Sequence, residues 1–561
     1  DKARFVGEGN AWTAEYLPPA TGLDDTTVIE YGEGIELPDP QAHLDYFSLE
    51  KGRLFRAVFS HRADGRPVLT MIAHHIVVDG VSWRRLVADV AAVLKAPSGS
   101  DPAALLARPT SSLQAFGERL RARLSEASFC GDAAHWHAQV ASANAWQPAH
   151  TPDGAPVQAD ALPLRAGIDA RRTRLLLEKC NQLLSTTTEE VLLAGVLRGL
   201  LKRTDHQTFV VDIEHHGRDL VPDYAAGDAV GWFTHLFPVR FSLPAENTAT
   251  GALICVKETL RGVLDDGLSF SALAFRDAAA ADDARPAFEA APIAFNYLGQ
   301  IDRGLGDLGD LDVINERVGT VESPARAREH ALVFNLMIAG GELVIECDGD
   351  ARFGELSDLQ ALMDDVQSSL ESLIDDCASR DDILRTPSDF PLAQVSASQL
   401  NEILGQAPDL EDLYPSTPMQ QGMLFHSTLV ASDYVTQVFF DVPSDLDVEH
   451  FRTAWQDIAQ AHAVFRTQFV GEALHQAVLT TVKLPWSIRV RSADGEMTEP
   501  EFQALLQDDR QAGFTLDRAP LMRFHLVDTP QRRKRFVWTS HHALLDGWSV
   551  AAVLSQVIGR Y

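Results

Sequence analysis

Two adjacent histidines followed by an Asp-Gly turn occur twice in this chain, and this repetition constrains the fold more than any other feature. The first copy lies in MIAHHIVVDGVSWRRLV at residues 71–87, and the second in VWTSHHALLDGWSVAAVL at residues 537–554. In both copies an apolar, β-branched run precedes the histidines and an apolar helical pattern follows the turn. The repeated element is therefore predicted to be a strand, a loop and a helix.

The alignment of the two motifs extends towards the N-terminus and identifies two related units. It places Phe5 opposite Phe469, with similar distances onward to the histidines. A long segment precedes Phe469, whereas only four residues precede Phe5, so the first unit is expected to lack its N-terminal segment. Residues 100–385 have no counterpart in the second unit, because the chain stops at Tyr561. The second unit is therefore expected to be an N-terminal half only.

The boundary between the units falls in a polar stretch with three prolines, RDDILRTPSDFPLAQVSASQLNEILGQAPDLED. We predict a first domain at 1–385, a linker with a short docking turn at 386–408, and a second domain at 409–561. A proline-rich loop divides the first domain into lobes at about 1–140 and 160–385. In the second lobe a helical pattern, EEVLLAGVLRGLLKR, is followed by a strand pattern, TFVVDIE, so the predicted fold class is mixed α/β.

Composition excludes several classes of function. Asp and Glu outnumber Lys and Arg by 79 to 48, which gives a net charge of −31, so nucleic acid is not expected as a partner. No apolar run approaches the length of about 20 residues that a membrane span needs. The five cysteines lack CxxC spacing, which favours a reducing cytoplasm over a disulfide framework or a zinc site.

The repeated motif carries residues suited to proton transfer. On a strand, successive side chains alternate faces, so His74 and His75 are predicted to point in opposite directions and cannot chelate one metal ion together. One imidazole is then free to face a cleft, where it accepts a proton near pH 7, and Asp79 fixes the loop. Ser82 is the predicted N-cap of the following helix. A satisfied core histidine beside an ordinary turn is the alternative, which a second occurrence disfavours.

The first unit resembles the epimerization domains of nonribosomal peptide synthetases. These domains and the related condensation domains share the HHxxxDG pattern and a chloramphenicol-acetyltransferase-like, two-lobed fold. IEHHGRD at 213–219 is similar to the EGHGRE motif of the epimerization family, with Glu214, Gly217 and Arg218 in register. His215 stands where the family has glycine, and Asp219 where it has glutamate. The remaining motifs are VGWFTHLFPVRF at 230–241 and FNYLGQ at 295–300, in the family's order.

This resemblance implies that the first unit inverts an L-aminoacyl or peptidyl group held as a thioester on the 4'-phosphopantetheine arm of a carrier domain. Inversion removes a proton from one face of the α-carbon and returns one to the other, so a group is needed on each side. The resemblance assigns these two catalytic roles to His75 and Glu214. It assigns supporting roles to His74, Asp79, Gly80, Trp83 and Arg218, and makes Asn296 and Tyr297 candidates for stabilising the enolate oxygen.

The second unit resembles the opening part of a condensation domain, in the subtype that accepts a D-configured donor. YPSTPMQQGMLFHS, HAVFRTQF and HHALLDGWS carry the likeness. It implies that His542 assists the attack of an acceptor amine, with support from His541, Asp546 and Gly547. Arg466 is expected to pair with Asp546. The matching position in the first unit is Lys2, so an equivalent partner for Asp79 is in doubt, and without its second lobe the second unit is not expected to form peptide bonds.

The resemblance also implies the partners of the chain. Peptidyl carrier domains would deliver the aminoacyl or peptidyl thioester, and no cofactor or metal ion is expected to bind directly. Two alternatives stay open. The first unit could be a condensation-type acyltransferase, in which Glu214 and FNYLGQ are structural, or the chain could be a non-catalytic module that docks carrier domains.

Overall fold

The computed structural model describes residues 2–8, 11–17, 28–30, 43, 45–61, 66–106, 112–126, 133–141, 143–148, 154, 156–222, 224–227, 229–274, 290–301, 322–380, 383–489, 497–529 and 533–561. The chain divides into two compact units, Asp1–Leu384 and Arg385–Tyr561. No helix within these ranges is both long and apolar enough to cross a bilayer.

The first lobe of the first unit is built from an antiparallel hairpin, a three-stranded sheet and the helix after the histidines. In the sheet, β3 runs parallel to β4, and β4 runs antiparallel to β5. The elements of this lobe are β1 Lys2–Glu8, β2 Ala11–Leu17, β3 Val28–Glu30, β4 Phe55–His61, β5 Pro67–Ala73, α1 Gly80–Lys95 and α2 Pro102–Leu105, and α3 Leu113–Leu124 follows them in the chain.

The second lobe is a six-stranded mixed sheet, in the order β6-β11-β10-β9-β7-β8. Strands β9 and β10 are parallel, as are β7 and β9, and the other neighbours are antiparallel. The elements are α4 Ala133–Val140, β6 Leu162–Ile168, α5 Ala170–Leu175, α6 Asn181–Leu183, α7 Thr188–Leu201, β7 Thr208–His215, β8 His235–Ser242, α8 Ala249–Arg261, α9 Leu268–Ala274, β9 Ile293–Gln300, β10 Leu332–Ala339, β11 Glu342–Gly349 and α10 Leu356–Ala378.

Helices α3 and α4 pack against the second lobe, although the predicted lobe boundary at 140 assigns them to the first. Phe116 of α3 joins a buried cluster with Phe233 and Leu268. Trp136 of α4 is fully buried, and its indole N–H donates a 2.9 Å hydrogen bond to Ser269. Apolar residues on these short helices are thus buried by contacts distant in sequence, which the local pattern does not reveal.

The core of the second lobe lies between the sheet and helices α7, α8 and α10. Helix α7 is surrounded on nearly every side, and every residue from Glu190 to Leu200 is buried. A Cβ at Gly199 would lie 2.7 Å from the Cα of Val366 in α10, so glycine lets the two helix backbones approach closely. This tight contact holds α7 against α10 and supports the sheet that carries the site.

The second unit contains a four-stranded sheet, in the order β13-β18-β17-β16, and a three-stranded sheet, in the order β12-β15-β14. Its core is rich in aromatic rings, which pack in tilted and edge-on arrangements around the fully buried Trp455. The elements are α11 Ala397–Gln406, β12 Leu410–Tyr414, α12 Pro418–Leu429, β13 Val435–Val442, α13 Val448–Ala461, β14 Thr467–Val470, β15 His475–Leu479, β16 Trp486–Arg489, α14 Glu499–Ala512, β17 Met522–Thr529, β18 Arg533–His541 and α15 Gly547–Arg560.

Residues 386–408, predicted to be a linker, are built into the second unit. Phe390, Leu400 and Ile403 are buried in one apolar cluster with Val470 and Ala477 of the hairpin β14–β15. Helix α11 starts with a capping box in which Ser396 and Gln399 satisfy each other's backbone N–H groups. The segment therefore has its own core contacts, and the linker prediction is corrected.

The internal repeat is confirmed down to individual hydrogen bonds. Strands β16, β17 and β18 repeat the parallel and antiparallel pairings of β3, β4 and β5. The N–H of Phe5 donates to the carbonyl of Leu49 at 2.9 Å, and that of Phe469 donates to Leu516 at 2.8 Å. Both units therefore use one framework to place the histidine motif.

Candidate functional site

The first histidine motif presents one imidazole to a cavity and keeps the other in the packing. Strand β5 ends at Ala73, and His75 opens a short 3₁₀ helix, so strand alternation does not apply to the two histidines as predicted. His74 caps this helix, because its Nδ1 accepts a 3.2 Å hydrogen bond from the N–H of Ile76. Burial, followed by the neighbouring His75, lowers the pKa of His74. As predicted, one histidine faces a cavity and the other is part of the packing. A loop after the strand, and not alternation along the strand, produces this difference.

Asp79 connects the histidine loop to helix α1. The helix begins at Gly80 with Asp79 as its N-cap, whose carboxylate accepts a 2.7 Å hydrogen bond from the N–H of Ser82. The prediction of Ser82 as N-cap is therefore wrong, and its hydroxyl instead donates to the carbonyl of Gly231 at 3.0 Å. A Cβ at Gly80 would meet nothing within 4 Å. Trp83 lies half-buried in the first turn of α1.

Arg218 is the cationic partner of Asp79. The alignment of the two units had left this partner in doubt, because it placed Lys2 opposite Arg466. One guanidinium nitrogen of Arg218 donates to both carboxylate oxygens of Asp79, at 2.8 and 3.0 Å, and both residues are buried. Asp79 also accepts a 3.2 Å hydrogen bond from the N–H of Phe233, whose ring lies 4.3 Å from the guanidinium carbon. This ion pair joins the two lobes of the first unit.

The turn that carries Arg218 requires glycine at position 217. Gly217 has φ of +65°, a conformation that L side chains rarely adopt. A Cβ there would also collide with the carbonyl oxygen of Phe233. The glycine of this motif therefore has a structural role, because it brings Arg218 to Asp79.

Glu214 lies on the face of β7 opposite to the core, as the strand pattern predicts. Phe209, Val211 and Ile213 are buried beneath the sheet, at 0 to 2% exposure. Alternation therefore turns Asp212 and Glu214 to the other face. Glu214 contributes to the wall of the cavity that His75 also lines. The structure thus brings the two predicted catalytic residues together, one from each lobe.

The environment of Glu214 favours its neutral form overall. Burial is the main cause that raises the pKa of Glu214, and the carboxylate of Asp79 acts in the same direction. His75 and a hydrogen bond from the Asn296 side chain act in the opposite direction. His75 is therefore near enough to interact electrostatically with Glu214, and Asn296 directly contacts the carboxyl group.

Tyr297 does not join Asn296 at the site. The two residues are neighbours on β9, so their side chains leave opposite faces of the sheet. Tyr297 packs against the core with Phe295, and its hydroxyl is hydrogen-bonded to Thr188 at the start of α7. Burial raises its pKa. The prediction of Tyr297 as a stabiliser of an enolate oxygen is therefore corrected.

The cavity has a volume of about 340 Å³ and combines charged and apolar walls. Trp232 packs its ring 4.9 Å from the His75 ring, which sequence reasoning did not anticipate although the motif VGWFTHLFPVRF contains this residue. His330 lies 2.9 Å from the carboxylate of Asp212, on the same sheet face as Glu214. The lining residues are His75, Gln158, Glu214, Trp232, Thr234, His235, Leu236, Ala294, Glu322, Arg326, Ala327, Arg328, Glu329, His330 and Val333.

In the second unit, His541 is part of the packing as His74 is in the first, and His542 occupies the position of His75. Both histidines are more buried than their counterparts. His541 ends β18 at 1% exposure, and its Nδ1 accepts from the N–H of Ala543, so its Nε2 donates to the Ser427 hydroxyl at 2.9 Å. Burial, with His542 nearby, lowers the pKa of His541 to about 4. His542 donates from Nδ1 to the carbonyl of Leu545 at 2.8 Å, which leaves Nε2 as a proton acceptor.

The expected pair between Arg466 and Asp546 is not formed. Arg466 pairs with Glu411 of β12, so this prediction is wrong. Asp546 is exposed and caps α15 by accepting from the N–H and hydroxyl of Ser549, and these hydrogen bonds lower its pKa. Gly547 is the first residue of that helix, and a Cβ there would meet nothing within 4 Å.

Comparisons with known proteins agree with the motifs and the fold. A family model described as "Condensation domain" matches residues 40–395 and 410–561. One component of the linear gramicidin synthase of Brevibacillus parabrevis is 31% identical over 527 residues, which are 92% of this chain and 10% of that protein. A second component of the same synthase is 32% identical over 536 residues, 93% of this chain and 7% of that protein. The chain thus spans only a small part of either relative.

One solved structure adds support for the fold. The epimerization domain from the third module of tyrocidine synthetase B matches with a TM-score of 0.57 and 21% identity, over 67% of this chain and 85% of that domain. At this identity the likeness concerns the fold. It confirms the chloramphenicol-acetyltransferase-like, two-lobed fold predicted from the motifs.

Proposed function

The chain belongs to the condensation-domain family, and on this premise we propose that its first unit epimerizes an aminoacyl or peptidyl thioester. The observation that carries the proposal is the shared cavity of His75 and Glu214, which come from different lobes. A substrate placed between them has a proton-transferring side chain available from each lobe. Such a pair is what inversion of an α-carbon needs.

The proposed reaction removes the α-proton with one group and returns a proton from the other. The thioester carbonyl makes the α-hydrogen acidic, and the electron pair left on the carbon spreads onto the carbonyl oxygen as an enolate. Reprotonation on the opposite face inverts the centre and needs no cofactor. Asn296 positions Glu214 through its hydrogen bond, and the pair between Asp79 and Arg218 holds the His75 loop against the second lobe.

We further propose that the substrate arrives on the 4'-phosphopantetheine arm of a peptidyl carrier domain, in the cytoplasm. For a substrate delivered on such an arm, the cavity would need to hold only the reacting end of the group. The second unit is proposed to be the start of a condensation domain, in which the free Nε2 of His542 faces the acceptor amine.

The test uses this chain with a carrier domain loaded with an L-aminoacyl group, in deuterated water. We expect inversion together with incorporation of deuterium at the α-carbon. His75→Ala and Glu214→Gln should each lower the rate of inversion by roughly 100-fold or more. If the two groups act on opposite faces, each variant should still exchange the α-hydrogen of one enantiomer, and the two variants should retain opposite enantiomers.

The matched control is Glu246→Gln, which removes one exposed carboxylate that does not line the cavity, and it should invert at the wild-type rate. Full inversion by both site variants would overturn the assignment of roles. Transfer of the acyl group with its chirality intact would identify a condensation-type acyltransferase instead. Binding of the loaded carrier without any α-hydrogen exchange would identify a docking module.

A further inference from the structure

We propose that His215, His216 and Asp219 form a binding site for a divalent transition-metal ion such as Zn²⁺. Each residue offers one ligand atom, and the three atoms lie within 4.8 Å of one another at the end of β7. Imidazole nitrogens and a carboxylate oxygen are ligands that Zn²⁺, Ni²⁺ and Cu²⁺ accept. Three protein ligands also leave a fourth position open for water.

The distances fit a metal centre better than direct pairing. The Nδ1 atoms of His215 and His216 lie 3.9 and 3.8 Å from the same oxygen of Asp219, too far for a hydrogen bond. Metal bonds of about 2.0–2.2 Å in a tetrahedral site separate ligand atoms by about 3.4 Å. His216 and Asp219 are exposed, so small rotations of their side chains close this difference.

The protonation of both histidines suits metal binding. Each Nδ1 accepts a 3.2 Å hydrogen bond from a backbone N–H, that of Gly217 for His215 and that of Arg218 for His216. Both Nδ1 atoms therefore carry lone pairs, and the ring protons lie on Nε2. An ion bound through Nδ1 exchanges two long hydrogen bonds for two metal bonds.

A buried imidazole and a second carboxylate adjoin the three proposed ligands. His235 packs its ring edge-on to His215, with 5.4 Å between centroids, and neither of its buried ring nitrogens has a hydrogen-bond partner among the described residues. Asp266 acts electrostatically on His215 and adds negative charge. The nearby positive charge of Arg218 is neutralised by Asp79.

Two of the three proposed ligands are the positions at which this chain departs from the EGHGRE pattern. Glycine at position 215 would offer no ligand atom, so the site is a property of this chain rather than of its family motif. No metal ion was expected from the sequence, because neither the first histidine pair nor the cysteines have the arrangement of a metal site. The proposal is independent of epimerization and can hold whether or not that activity does.

The test measures Zn²⁺ binding by titration calorimetry on the chain without an affinity tag, after treatment with a chelator and its removal. We expect one tight site per chain. His215→Gly and Asp219→Asn should each weaken it by at least about 100-fold, because losing a ligand costs more than losing an outer-shell partner. The exposed His206→Ala is the control and should bind as the wild type does.

Circular dichroism establishes that each variant is folded. Asp219→Asn preserves the shape of an exposed side chain, so it keeps the test valid if His215→Gly disturbs β7. Absence of a stoichiometric site in the wild type would overturn the proposal. Equal Zn²⁺ affinity in the wild type and both variants would overturn it as well.

Discussion

Arg218 donates hydrogen bonds from one guanidinium nitrogen to both carboxylate oxygens of Asp79, at 2.8 and 3.0 Å, inside the first unit. Asp79 follows His75 by four residues, and Arg218 follows Glu214 by four residues. The ion pair therefore sets the separation of the two proposed catalytic groups, although neither member needs to touch a substrate. Its main role is to hold a loop of one lobe against a strand of the other.

Removing the Arg218 side chain should strongly lower the stability of the fold. Arg218→Met leaves the carboxylate of Asp79 buried without its cationic partner, and we expect a loss of about 3–5 kcal/mol in the free energy of unfolding. Denaturation in urea measures it. The added substitution Asp79→Asn removes the stranded charge, so the double variant should recover part of the loss.

The matched control for Arg218→Met is Arg4→Ala, which breaks an exposed pair with Glu15 on the hairpin β1–β2. Exposed pairs contribute at most about 1 kcal/mol. A loss of the same small size in both variants would mean that the buried pair contributes little to stability. The proposed account of how the lobes are joined would then be wrong.

Trp232 should matter for turnover and little for stability. Its ring packs against His75 but is 42% exposed, so Trp232→Ala removes the wall beside the imidazole without opening the core. We expect inversion of a carrier-bound substrate to slow by roughly 2- to 10-fold, the rate equivalent of one aromatic contact. Trp232→Phe should retain most of the rate, and the exposed Trp12→Ala all of it. An unchanged rate in Trp232→Ala would contradict a positioning role.

Local patterns in the sequence were sufficient to predict part of the fold and of the site. Periodicity in TFVVDIE placed Glu214 opposite the core, and the repeat aligned the two units. The same periodicity excludes a common role for Asn296 and Tyr297, because adjacent residues of a strand face opposite ways.

Other features depend on contacts that no local pattern contains. The pairing of Asp79 with Arg218 joins residues 139 positions apart. The cavity wall formed by residues 322–330 comes from an irregular segment with no recognisable period. Burial of the predicted linker likewise depends on the hairpin β14–β15, which lies far along the chain.

Replacing Gly199 by alanine should lower the stability of the fold, even though alanine favours helices. In Gly199→Ala the new Cβ lies 2.7 Å from the Cα of Val366, so α7 and α10 must separate, and we expect a loss of roughly 1–3 kcal/mol. Gly117→Ala in α3 is the control, because a Cβ there meets nothing within 4 Å and should stabilise by about 0.5–1 kcal/mol. Unfolding in urea compares them. A gain in stability from both substitutions would contradict the proposed close approach of the helices.

Glu189, in the first turn of α7, should make stability depend on pH. Burial, followed by the neighbouring carboxylate of Glu190, raises its pKa from 4.5 to about 7 in the folded chain. Between these values the folded state holds a proton that the unfolded state has released, so this residue lowers stability as pH rises. Glu189→Gln should therefore be more stable than the wild type by roughly 1–3 kcal/mol at pH 8, with the difference vanishing near pH 4.5.

Urea unfolding across this range measures the difference, and the exposed Glu246→Gln removes the same charge at the surface as a control. A difference that is constant with pH, or equal in both variants, would show that burial of Glu189 is not its cause.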